Sequence, residues 1–110
     1  MAHTKAVIAG ADPEGLGEAL AERGVDVSCA AGTATRPDLE EAGIADADVL
    51  VVTDIGLATS IPVSTDLNEA LRVVIYVQDA ATEFARSQAD LIVDPDLMDP
   101  DTVAEELTRD

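Results

Sequence analysis

Aromatic side chains make up only 2% of the 110 residues, one tyrosine and one phenylalanine with no tryptophan. The apolar fraction is nevertheless 47%, so the interior has to be assembled from Val, Leu, Ile and Ala. Cysteine occurs once, at Cys29, which excludes an internal disulfide. Its position in an apolar strand predicts a buried, inert thiol. No apolar run approaches the ~20 residues of a membrane-spanning helix, and the first residues, MAHTKAV, lack a signal-peptide pattern. A cytoplasmic chain without membrane insertion is expected. Positive charge is scarce as well: Lys plus Arg number 6 against 23 for Asp plus Glu, and Lys5 is the sole lysine. Nucleic acid is thereby excluded as a partner, because no basic face exists to displace the counterions of a phosphate backbone. His3 is the one histidine, and no Ser-His-Asp, Cys-His, H-E-x-x-H or phosphate-loop pattern accompanies it. Neither catalysis nor a metal site is expected.

The resulting net charge is −17. The carboxylates are spread along the chain rather than massed in a tail, and they alternate with regular apolar runs that a disordered acidic chain would lack. Dispersed acidity of this kind suits a halophile's protein, since concentrated salt shortens the screening length to about 3 Å and mutes self-repulsion. The length fits a single domain, residues 1–110.

Five apolar runs read as strands: Lys5 to Ala9, Val25 to Cys29, Val49 to Val52, Val73 to Val77 and Leu91 to Val93. They are continuous rather than alternating, which suits parallel strands covered on both faces. Helical segments fall between them. Glu14 to Arg23 puts Leu16, Ala19 and Leu20 on one face, and Gly24 stops it. Asp38 to Gly43 is entered through Pro37. A third helix, about Leu57 to Leu67, contains Pro62, which predicts a kink or a delayed start. A fourth, about Ala81 to Gln88, should bury Phe84. The last is entered by Asp99-Pro100, with Met98 stapled onto Val103 and with Val103 and Leu107 sharing a face. This alternation predicts an α/β doubly wound three-layer sandwich with right-handed crossovers. Ligands of such sheets bind beyond the carboxyl ends of the strands where strand order reverses, here near Gly10 and Thr53-Asp54.

The first strand leads into Gly10-Ala11-Asp12-Pro13-Glu14-Gly15. Gly10 and Gly15 hold the first and third positions of a G-x-G-x-x-G dinucleotide fingerprint, but Asp12 stands where the backbone should approach pyrophosphate. Asp12 also reads as a helix cap, with Pro13 and Glu14 suited to a first turn. Asp54 likewise reads either as a ligand contact or as a cap of the next helix. Asp96, Asp99 and Asp101 read as capping and surface charge rather than as a cation site.

The stretch from Asp38 to Asp79, DLEEAGIADADVLVVTDIGLATSIPVSTDLNEALRVVIYVQD, resembles the N-terminal lobe of the potassium-conductance regulators, the TrkA-N/RCK family of Rossmann-like NAD-binding domains. The chain would be a small stand-alone, haloarchaeal member. The resemblance extends over nearly the whole chain. It implies that Gly32-Thr33-Ala34-Thr35 stands for the family's G-D-A-T motif and that Thr53-Asp54 matches its strand-end T-D pair. Ala31 takes the place of the acidic residue that holds the ribose, and an arginine position after the fourth strand is Tyr76. The helix and strand between Ala31 and the G-D-A-T motif are missing, which trims the sheet to five parallel strands in the order 2-1-3-4-5. The implied function is a non-catalytic cytosolic ligand-sensing or regulatory module for potassium uptake. Its degenerate site would take NAD(H) or another adenine nucleotide at Gly10, Asp12, Gly15, Thr33, Ala34, Thr35, Thr53 and Asp54. A homodimer and a transporter subunit are the implied partners. The alternative is a structural or oligomerisation module that has lost nucleotide binding, its exposed sheet edge covered by a second copy.

Size, strand order and Asp54 also invite comparison with phosphoacceptor receiver domains. Asp54 would be the phosphorylated residue and Asp12 part of an acidic magnesium site. Receivers further need a hydroxyl residue ending the fourth strand and a lysine ending the fifth. This chain offers Tyr76-Val77-Gln78 and Val93-Asp94, so the cation that phosphoryl transfer requires is missing.

Overall fold

The computed structural model describes residues 4–10, 15–30, 35–54, 57, 59–77, 87 and 89–108. Strands β1 (Lys5–Ala9), β2 (Asp26–Ala30), β3 (Val49–Val52), β4 (Arg72–Tyr76) and β5 (Leu91–Val93) form one parallel sheet in the order β2-β1-β3-β4-β5. The doubly wound α/β fold with this strand order is therefore the observed architecture. Three strands keep their expected bounds, while β2 and β4 each slide by one residue. Four α-helices are described: α1 (Leu16–Glu22), α2 (Arg36–Ala42), α3 (Ser60–Leu67) and α4 (Pro100–Thr108). The helix expected over residues 81–88, with Phe84, lies outside the described residues except for helical Ser87. Among the described residues no helix is long and apolar enough to cross a membrane.

The continuous apolar runs follow from a sheet buried on both sides. On one face Val7, Ala9, Leu50, Val52, Val73 and Ile75 meet Leu39 of α2, Ile44 of the short 3-10 turn Ile44–Asp46, and Ile61 of α3. On the other, Ala6, Ile8, Val49, Val51, Val74 and Tyr76 meet Leu16 and Leu20 of α1 and Val103 and Leu107 of α4. Adjacent residues of one strand thus serve opposite layers, and each large side chain so buried contributes about 1.5–3 kcal/mol.

Local chemistry fixes the element ends. α1 stops as expected, with the Gly24 amide donating to the Ala21 carbonyl at 3.0 Å. α2 opens with a capping box, in which the Asp38 carboxylate accepts from the Thr35 hydroxyl at 2.8 Å and from the Thr35 amide at 3.1 Å. α3 starts late, at Ser60, which makes Pro62 its third residue, where a helix has no partner for an amide N–H anyway. Its far end is clamped by Asn68, whose side-chain amide donates to the carbonyls of Ile44 and Ala47 at 3.1 and 2.7 Å. Carboxylates also tie down the strand starts: Asp48 accepts from the Lys5 amide and Asp90 from the Val73 amide, each at 2.8 Å.

One expectation fails on position in the sheet. β2 is an edge strand, and Cys29 on it is exposed rather than buried. An apolar run signals a strand, but only strand order tells whether both sides of it are covered.

Candidate functional site

At the switch point the chain leaves β1 for one layer and β3 for the other, and their ends meet. Gly10 follows β1 with φ +113°, and a Cβ there would lie 2.6 Å from Thr53 Oγ1 and 3.2 Å from both Cβ and N of Asp54. Thr53 extends the ladder past β3, its amide donating to the Ala9 carbonyl at 3.0 Å and its hydroxyl to the same oxygen at 3.3 Å. Asp54 then emerges exposed, its carbonyl accepting from the Leu57 amide at 2.8 Å. Gly10 is thus a close-approach glycine. Its missing side chain is what lets Thr53-Asp54 cross the end of β1.

Of the residues expected to form a nucleotide crevice, Gly10, Thr53 and Asp54 are brought together. Gly15 precedes α1 and opens on a different cleft, about 320 Å³, lined by Glu18, Ala19, Glu22, Pro100 and Asp101 between α1 and α4. Thr35 is engaged in the capping box of its own helix. Asp12, Thr33 and Ala34 lie outside the described residues, as does Ala31.

The rest of this edge is built by the ends of β4 and β5. Tyr76 ends β4 only 2% exposed, and its hydroxyl donates to the Met98 carbonyl at 3.0 Å. This tie is missed by local sequence reading, although a lone tyrosine at the end of a buried strand signals a hydroxyl in need of a partner. Beyond β5, Asp94 organises a tight turn. Its side chain accepts from the Asp96 amide at 2.9 Å and its carbonyl from the amides of Leu97 and Met98 at 2.9 and 3.0 Å. The turn carries Leu97 into solvent, 83% exposed. Asp99 caps α4 through the Thr102 amide at 2.8 Å. The Thr102 side chain and then that amide hold the Asp99 carboxyl below its usual range. No group of three or more His, Cys, Asp or Glu suited to a metal occurs among the described residues.

The sequence model of a family of unknown function, DUF7126, matches residues 6–107. The chain belongs to this family. No protein of curated function matches it. Among solved structures, this DUF7126 chain is similar to an orphan response regulator of H. pylori, with TM-score 0.73 and 11% identity over 94% of this chain and 92% of that one. It is also similar to a candidate pilus assembly-related protein of Burkholderia pseudomallei, with TM-score 0.68 and 18% identity over 96% and 87% of the two chains. A candidate pilus assembly protein of Burkholderia thailandensis gives the same score and identity over 96% of each.

These findings correct the TrkA-N/RCK resemblance. The matching family is DUF7126 and the structural neighbours are a response regulator and pilus assembly proteins, so the potassium-uptake regulator and its NAD-binding lobe are withdrawn as the account of this chain. The physical reason is that the segment Asp38 to Asp79 encodes a strand–helix–strand frame that any doubly wound sheet shares. The residues that separate one such family from another lie at strand ends, and there the chain departs from the nucleotide-binding pattern.

Proposed function

We propose that this DUF7126 chain is a non-catalytic regulatory domain of receiver-like fold that acts by binding another protein rather than by accepting a phosphoryl group. One observation carries the reading: Asp54 stands exposed after β3, while β4 and β5 end without the partners that phosphoryl transfer uses. A receiver needs a hydroxyl residue at the end of the fourth strand. Here the hydroxyl belongs to Tyr76, buried and already donated to the Met98 carbonyl. A receiver neutralises the phosphoryl charge with a lysine after the fifth strand, where this chain has Asp94. The sole lysine, Lys5, begins β1 at the opposite end of the strands, about 13 Å away along the strand. A phosphoryl group on Asp54 would therefore add charge to a chain that already carries −17, with Asp94 rather than a lysine after β5 to meet it.

A second reading, aspartyl phosphorylation at Asp54, is favoured by that residue's exposure beyond β3 beside Gly10. Incubation with acetyl phosphate and Mg²⁺ followed by intact-mass measurement separates the two. The proposal expects an unchanged mass. A phosphoryl adduct that disappears in Asp54→Asn supports the second reading instead.

A further inference from the structure

We propose that the free edge of β2 docks an extended, basic segment of a partner protein as a sixth strand. Among the described residues the edge is regular and open. β2 pairs with β1 in unbroken register from Asp26 to Ala30, with no bulge, proline or lysine to discourage a neighbour. The Asp26 amide donates to the Thr4 carbonyl at 2.9 Å, so Asp26, Ser28 and Ala30 turn their backbone groups toward β1. Because these groups alternate sides along a strand, the N–H and C=O of Val27 and Cys29 face outward, as an added strand requires. The opposite edge, β5, is shorter at three residues.

Charge selects the occupant. Beside the β2 edge an open cleft of about 370 Å³ is lined by Ser28, Cys29, Asp38, Glu41 and Ala42, and Asp26 stands exposed at the strand start. A second copy of the chain would bring the same carboxylates, and another net charge of −17, against this surface. A segment carrying lysine or arginine at alternate positions meets it with opposite charge, its main chain supplying affinity and its side chains specificity. The inference rests on the reading of the chain as a protein-binding regulatory domain. The two fail separately, because one is read at β2 amides and the other at Asp54.

The test uses a capped peptide of about eight residues alternating lysine and valine, with a glutamate–valine twin as control. Amide exchange at Val27 and Cys29 is followed by NMR in roughly 0.1 M KCl, where charge still acts over about 10 Å. The lysine peptide should slow both amides about tenfold at saturation and retard modification of the single thiol, Cys29, while the glutamate peptide does neither. Val27→Pro, which removes an outward N–H but no bond to β1, should abolish the effect. Glu41→Gln should weaken binding about threefold and covers the case in which the proline variant fails to fold. Equal slowing by both peptides, or by neither, overturns the proposal. So does protection that grows with protein concentration alone, which would give the edge to a second copy.

Discussion

Gly10 and Gly15 both adopt positive φ, yet their surroundings differ, and that difference can be measured. At Gly10 an added methyl meets the stiff Thr53 side chain and the Asp54 backbone, whereas at Gly15 it meets nothing within 4 Å. Gly15→Ala should cost about 1 kcal/mol from backbone strain alone. Gly10→Ala should cost about 2–3 kcal/mol and displace Thr53-Asp54, visible in urea unfolding and in the Asp54 amide resonance. Equal losses would mean that the close approach is not what fixes Gly10. Ser64 presents the opposite case. Its hydroxyl is fully buried in α3 and has no hydrogen-bond partner among the described residues. Ser64→Ala should raise the unfolding free energy by about 1 kcal/mol, and a loss in the same urea titration would reveal a partner for the hydroxyl. Gly10 and Thr53-Asp54 were legible in the sequence, because glycine after an apolar strand at a switch point has few other uses. Tyr76 was not, since its partner Met98 is 22 residues further on and contributes only a carbonyl.

At the scale of elements, carboxylates do much of the capping, and α4 offers a clean titration. The Asp99 carboxyl is held below its ordinary value of 3.8 by Thr102. A depressed folded-state value means that the cap is fully effective above the unfolded value and is lost as pH falls through the folded one. Wild type should therefore exceed Asp99→Asn in melting temperature at pH 7, and the gap should close below the ordinary carboxylate range. A gap that widens on acidification would reverse the sign of the account. Helix and strand identities were largely readable because apolar runs and caps are local signals. Pro62 also announced the late start of α3. The exposure of Cys29 was not readable, since edge status depends on which strands pair.

For the whole molecule, the excess of carboxylates sets the response to salt. Some of them, Asp48, Asp90 and Asp38 among them, bond backbone amides, and Arg36 reaches Asp66 only at 3.8 Å across the surface. Most of the −17 is therefore self-repulsion, which screening relieves. The melting temperature should rise between about 0.1 and 1 M KCl, as the screening length falls from about 10 to 3 Å, and a fall would argue for ion pairs that salt weakens. Sheet order was readable at this scale, but the family was not: the frame from Asp38 to Asp79 is common to doubly wound folds, and only strand-end chemistry distinguishes them. The central claim is that the fold of a response regulator is used here without its phosphoryl switch. Its most direct test is an amide NMR spectrum recorded with beryllofluoride and Mg²⁺, which together mimic an aspartyl phosphate. The account predicts no shifts at Gly10, Thr53, Asp54 or Tyr76. Saturable shifts centred on those residues, and absent in Asp54→Asn, would contradict it.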